Sequence, residues 1–297
     1  MIDKEKSIEY WNSVSKDWKK MVYDTDKPAT IFPSSQLRQE IVIREIKENF
    51  GFNVKILDIG CADGSLVIEL LKEGYRNVKG IDNSPSMIEE ANLQLKDNGY
   101  VIDNVFEVAD IESYQTDEKC DIVISMGLIE YLKDLDSFFS LVYNLLDDNG
   151  YAYIESKNKL FNLFSANEHT LKTAKSKYTK ELEEIKHLSP KKLDDVMFFA
   201  YKAIGLNLDY PKEEKEEEYK KYPFDLPQYS PKELMVHSEG KSFNTKKIIY
   251  YHCHPFPPRY RESSPELFDR LGVLMQPLGY TPLGAVICSA YVMVINK

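Results

Sequence analysis

The stretch KILDIGCADGSL, Lys55 to Leu66, decides the fold. Its apolar run Ile56-Leu57-Asp58-Ile59 predicts a buried parallel strand. The run stops at Gly60-Cys61-Ala62-Asp63-Gly64 and passes directly into an apolar-periodic stretch, so a strand must turn sharply into a helix. The two glycines remove side chains where backbone must approach a ligand, and the helix N-terminus offers free N–H groups. A nucleotide-type cofactor at the first turn of a doubly wound sheet is the reading that follows. Dinucleotide sites use G-x-G-x-x-G, which brings bare backbone to a pyrophosphate. Here the spacing is G-x-x-x-G, and Asp58 and Asp63 beside it would repel phosphate. A cationic sulfonium carrying an α-amino group suits two carboxylates.

These residues resemble motif I of the class I S-adenosylmethionine-dependent methyltransferases, an apolar strand followed by D-x-G-x-G-x-G. Ala62 stands where the middle glycine is common. The resemblance implies a Rossmann-like α/β fold: a doubly wound, mostly parallel seven-stranded sheet with an antiparallel last strand. S-adenosylmethionine is the implied cofactor, with Asp58, Gly60, Cys61, Ala62, Asp63 and Gly64 around it. Two other readings stay open: an NAD-type oxidoreductase, disfavoured by the missing G-x-G-x-x-G, and a non-catalytic subunit that binds cofactor.

The 297 residues can bury a full core, as one large domain or a domain with an insertion. With 38 basic and 48 acidic residues the formal charge is −10. A net-negative chain with no long basic stripe is a poor partner for nucleic acid, whose binding rests on phosphate neutralisation, and a small-molecule substrate is favoured. Cys61, Cys120, Cys253 and Cys288 are scattered, three of them in apolar runs, and read as reduced core thiols. No signal-peptide-like opening and no 18-residue apolar run occur in the sequence. A cytoplasmic protein without membrane contact is expected.

Residues 1–50 predict helices ahead of the sheet. Tyr10, Trp11, Val14, Trp18 and Tyr23 recur at helical spacing, and the segment resembles the Y-W-x-x-x-A-x-x-W opening of small-molecule methyltransferases. That likeness implies a lid over the cofactor carrying Tyr10 and Trp18. Residues 51–157 form the expected cofactor core. A helix is predicted over 65–73, then a strand over 77–82 ending in Asp82, 22 residues beyond Gly60. A carboxylate at this place accepts both ribose hydroxyls. Ser84-Pro85 supplies an N-cap and an N1 proline for a helix over 85–98, with Asn83 and Met87 beside the cofactor. After a strand over 105–109, the resemblance implicates Ala109, Asp110 and Ile111 at the adenine. A strand over 120–125 leads to Met126 and Gly127, implied at the methionine end. The next segment has Tyr131 where the family has histidine, which removes one candidate general base. A helix over 134–146 and a strand over 151–155, ending in the candidate substrate residue Glu155, complete the core.

Residues 158–228 break the rhythm and are expected to form an inserted, mainly helical cap on the substrate side. Its charge run KEEKEEEYKKY is expected to be a solvated face. Residues 229–297 return to the sheet: a helix from Ser230-Pro231, a strand over 247–254, a helix after Ser264-Pro265, and a closing strand over 286–294. His252 and His254, two apart and therefore on one face of a strand end, are candidate catalytic bases together with Tyr131. Arg259 and Arg261 are candidate clamps for a phosphate or carboxylate. No third ligand accompanies H-x-H, so no metal is expected. YYHCHPFPPRYRE with SAYVMVINK is similar to methyltransferases of bacterial surface-glycan biosynthesis, which implies O-methylation of a sugar, sugar nucleotide or phosphorylated precursor. A non-catalytic partner subunit and an N-methyltransferase are the alternatives.

Overall fold

The computed structural model describes residues 4–23, 34–166, 170, 195, 198–200, 202–203, 205 and 226–297. Seven strands form one sheet: β1 (Lys55–Ile59), β2 (Asn77–Asp82), β3 (Phe106–Val108), β4 (Cys120–Ser125), β5 (Leu146–Lys157), β6 (Asn244–Cys253) and β7 (Cys288–Asn296). Their order is β3-β2-β1-β4-β5-β7-β6. Strands β1 to β5 pair in parallel, and β7 runs antiparallel between β5 and β6. The sheet is therefore the mostly parallel, Rossmann-like one implied by the glycine elbow, closed by an antiparallel last strand. Strand order reverses between β1 and β4, which opens a crevice beyond their carboxyl ends.

Alternate residues of the central strands serve opposite layers, as the two-residue period of a strand requires. Ile56, Ile122 and Ile124 pack with Ile41, Val42, Val67 and Leu70 on one face. Leu57, Val123 and Ala152 pack with Phe139, Val142 and Leu234 on the other. Helices α1 (Lys4–Tyr23), α2 (Ser34–Asn49), α3 (Ser65–Lys72) and α4 (Pro85–Asp97) precede β3 in the chain. Helices α5 (Leu135–Leu145), α6 (Pro231–Glu239) and α7 (Pro265–Met275) follow β4. Each Val, Leu or Ile fully buried in these layers is worth about 1.5–3 kcal/mol. Helix starts follow the sequence signals. Ser84 Oγ accepts the Met87 N–H at 3.2 Å with Pro85 at N1, and Ser230 with Glu233 forms a capping box ahead of Pro231.

Four boundaries differ from expectation. Strand β3 is shorter by one residue at each end. Strand β5 begins at Leu146, because Leu146 pairs with Cys120 before a register shift, so Gly150 lies inside the strand. Strand β7 starts at Cys288, since Gly284–Ile287 makes a single helical turn. Strand β6 starts at Asn244 and stops at Cys253, one residue beyond His252, which adopts a left-handed φ of 58°.

Most of the expected cap over 158–228, including its charge run, lies outside the described residues. At its start Asn158 ties β5 to the C-terminal segment, donating from Nδ2 to the carbonyls of Ala285 and Cys288, both at 2.8 Å. Phe198 packs against Phe256, Tyr260 and Phe268.

Candidate functional site

The elbow after β1 is sewn to the end of β2. The Gly60 and Cys61 N–H groups both donate to the Ile81 carbonyl, at 2.8 and 3.1 Å. Ala62 then takes a left-handed φ of 46°, a conformation that costs a residue with a Cβ about 1–2 kcal/mol and that glycine enters freely. That cost explains why a glycine is common there. The turn is kept because the Ala62 N–H donates to Asp82 Oδ2 at 3.0 Å, while Ser84 N–H holds Oδ1 at 2.9 Å. Burial raises the Asp82 carboxyl above its usual range, and these backbone donors offset part of the rise.

Beyond the elbow lies a cavity walled by the carboxyl ends of β1, β2, β4 and β5 and by α1 and α2. Helix α1 is anchored across it at two points. Lys4 pairs with Asp110 and, at 2.9 Å, with Glu112; Asn12 Oδ1 accepts from Ser84 Oγ at 2.7 Å and from Ser86 N–H at 3.3 Å. Trp11 and Trp18 of this helix line the cavity, edge to face at 5.0 Å, and Trp11 meets the Tyr131 ring at 5.7 Å.

The carboxylates around the cavity have different surroundings. Asp63 is spent on the fold: its oxygens accept from Ser65 Oγ at 2.9 Å and from Gln94 Nε2 at 3.0 Å. Asp58 is 2% exposed, and its Oδ1 has no hydrogen-bond partner among the described residues. Burial first, then the opposing pull of Arg38 and the repulsion of Asp82 and Asp63, bring its carboxyl to about 7. A buried oxygen without a donor beside a glycine elbow fits an incoming ammonium group, and Asp82 at the next strand end fits a pair of hydroxyls. The residues present therefore fit S-adenosylmethionine.

Of the residues singled out in the sequence, Asp58, Gly60, Cys61, Ala62, Asp63, Asp82, Asn83, Met87, Met126, Gly127, Trp18, Tyr131 and Glu155 line the cavity. Gly64 lies behind the wall, packed against Phe106 and Ala91. Tyr10 stacks on Trp11 at 5.1 Å instead of reaching the cavity. Ala109, Asp110 and Ile111 also fall outside the lining: Ile111 is core, and Asp110 is taken by Lys4, which, against the upward pull of burial, holds its carboxyl below the usual value.

The C-terminal candidates are the main correction. His252, His254, Arg259 and Arg261 do not line the cavity, because β7 stands between β5 and β6, the strand that holds His252 and leads into the other three. The two histidine rings do meet, at 4.5 Å, with His254 also against Phe161 and Phe268 and neither of its ring nitrogens hydrogen-bonded among the described residues. Arg261 grips Asp269 with two bonds of 3.0 and 3.1 Å, an internal clamp rather than a substrate one. Burial lowers His252 to about 4 and drives His254 well down, with Arg261 adding to both. Unfolded histidines bind protons near 6.5. Stability is therefore complete above that pH and is lost as pH falls from 6.5 towards the folded values, by roughly 3 kcal/mol for His252 alone at pH 4. His254→Phe is expected to narrow the gap in melting temperature between pH 5 and pH 8; an unchanged gap in thermal unfolding would mean that His254 is accessible to protons in the folded protein.

Sequence reasoning missed Trp11, Arg38, Glu130 and Lys157, which all line the cavity. Trp11 and Glu130 sat in segments already noted for other residues. Arg38 carries no sequence signal, since only the fold brings α2 against β5.

The chain matches the profile of the methyltransferase domain over residues 52–222, more than half its length. It is 31% identical over 164 residues to the ubiquinone biosynthesis O-methyltransferase of Pelagibacter ubique, covering 52% of this chain and 65% of that protein. Against the enzyme of the same name from Rickettsia prowazekii it is 31% identical over 127 residues, 42% of this chain and 49% of that one. The chain thus spans between about half and two thirds of the length of these two relatives. Its fold is similar to magnesium protoporphyrin IX methyltransferase from Synechocystis with bound S-adenosylhomocysteine, at a TM-score of 0.58 and 15% identity over the whole of both chains. The chain belongs to the methyltransferase-domain family, and its fold is the one found in an S-adenosylmethionine-dependent methyltransferase.

Proposed function

We propose that the protein methylates a hydroxyl oxygen of a small aromatic acceptor. One observation carries this reading: a single cavity is lined by Asp58, whose Oδ1 has no partner among the described residues, by Asp82, and by the aromatic side chains of Trp11, Trp18 and Tyr131. The curated relatives are themselves named as O-methyltransferases, which supports oxygen as the acceptor atom. The surface-glycan acceptor expected from the C-terminal segment has no such support, since the relatives belong to ubiquinone biosynthesis and that segment's histidines and arginines lie off the cavity.

Bound S-adenosylmethionine supplies an electrophilic methyl group on a positively charged sulfur. Asp58 would take the α-amino group, Asp82 the ribose hydroxyls, and Met87, Met126 and Gly127 the apolar sides. Gly127 suits that place: its φ is 70°, and a Cβ there would stand 3.1 Å from Arg38 Nη1. The aromatic wall would hold the acceptor ring in line and keep water away, which is most of what a displacement at carbon asks of a protein. No helix among the described residues is long and apolar enough to cross a membrane, and a small-molecule acceptor needs no such span.

The test is calorimetry with S-adenosylhomocysteine, followed by an assay for its release from S-adenosylmethionine in the presence of catechol. Binding with release is expected. Binding without release from any hydroxylated aromatic would remove the acceptor class and leave the cofactor assignment standing.

A further inference from the structure

Two further buried carboxylates, Glu130 and Glu155, stand on the cavity wall. Glu130 lies in a single turn after β4 and is 2% exposed; Glu155, in β5, is 4% exposed. Their surroundings differ. Both oxygens of Glu155 are engaged, Oε1 by the Tyr251 hydroxyl at 2.9 Å and Oε2 by Arg38 Nη1 at 3.5 Å. Glu130 is held at one oxygen only: Oε1 accepts the Lys157 N–H at 2.8 Å and the Ser156 hydroxyl at 3.4 Å. Among the described residues no other residue engages its Oε2, and Glu130 lines the cavity. On a cavity wall such an atom is placed for a donor that arrives from outside.

We propose that Glu130 Oε2 takes the proton of the acceptor hydroxyl, with Glu155 as the positioning residue that holds a fixed carboxylate beside it. This rests on the reading that the acceptor atom is oxygen. The balance is simple: the acceptor oxygen bonds to the methyl carbon, the carbon–sulfur bond breaks with its electron pair staying on sulfur, and the O–H proton ends on Glu130. The surroundings suit a base. Burial, then the charge of Glu155, lifts Glu130 to about 7, against the pull of the Lys157 N–H and ammonium. Tyr229, Tyr251 of β6 and Tyr291 of β7 also face it. A general base works best when poised near the operating pH. The family's histidine is replaced here by Tyr131, and His252 and His254 stand off the cavity, so the proton falls to the glutamate next to that tyrosine.

The experiment uses the full chain and two acceptors, catechol and 4-nitrocatechol, whose nitro group leaves it largely ionised in neutral solution. Glu130→Gln keeps a side-chain oxygen for Lys157 and Ser156 and should bind S-adenosylhomocysteine like the wild type. Its kcat on catechol should fall about 10²–10⁴-fold, the usual worth of a positioned base, but less than tenfold on 4-nitrocatechol. In the wild type, kcat/KM on catechol should rise with pH through about 7, and Glu155→Gln should move that limb to lower pH by removing the repelling charge. Equal losses on both acceptors, or none, would overturn the role of Glu130, and an unmoved limb would overturn that of Glu155. A wild type that binds S-adenosylhomocysteine but methylates neither acceptor overturns the oxygen reading and the base with it. Failure of the functional reading thus shows in the wild type, and failure of the base assignment only in the variants.

Discussion

Asp82→Ala is expected to weaken S-adenosylhomocysteine binding about tenfold to a hundredfold while the protein stays folded. Two effects add. The variant loses the charged acceptor for the ribose hydroxyls, and bonds to charged groups are worth about 1.5–3 kcal/mol; each 1.4 kcal/mol is roughly tenfold in affinity. It also releases the Ala62 N–H, which Asp82 Oδ2 holds at 3.0 Å and which keeps the strained turn at Ala62 in place. Asp82→Asn separates the two effects, since the amide oxygen can still accept from Ala62. Titration calorimetry on both variants reads the result, and wild-type affinity in Asp82→Ala would place the ribose elsewhere.

Gly64→Ala should act on the fold. Gly64 has a φ of 73°, and an added Cβ would stand 2.4 Å from Cζ of Phe106 and 2.9 Å from Cβ of Ala91. Both neighbours are buried, at 7% and 0% exposure, so neither can step aside. Left-handed strain of about 1–2 kcal/mol and overpacking of about 1–3 kcal/mol together take a large share of the 5–15 kcal/mol that ordinary domains possess. Loss of several degrees in melting temperature, or failure to fold, is the expected outcome of thermal unfolding. A wild-type melting temperature would show that Phe106 and Ala91 yield without cost. The glycine that the motif places at the cofactor thus serves first to let β3 and α4 close on the elbow.

The cofactor end of the site was legible because it is local. Asp58, Gly60, Ala62 and Asp82 sit at strand ends that short apolar runs announce, and Ser84-Pro85 marks a helix start by its own hydrogen-bonding needs. The acceptor end was not. His252 and His254 looked like site residues because a strand's carboxyl end is where such sheets bind ligands, but β7 enters between β5 and β6 and carries them away. Arg38 had no pattern to mark it, since it rides a helix whose periodicity reports only its apolar side, and Glu130 sat unremarked beside Tyr131 in the single turn after β4.

By itself, then, the sequence determined the sheet's class, the elbow and the family, since these follow from the two-residue and 3.6-residue periods and from which residues tolerate a left-handed backbone. Only the tertiary structure decided which carboxylate keeps a free oxygen. Asp63 is satisfied by Ser65 and Gln94, Glu155 by Tyr251 and Arg38, whereas Asp58 Oδ1 has no hydrogen-bond partner among the described residues and Glu130 is held by other residues at Oε1 only. Hydrogen-bond satisfaction depends on partners as far as 117 residues away in the chain, and spacing along a sequence carries no measure of that.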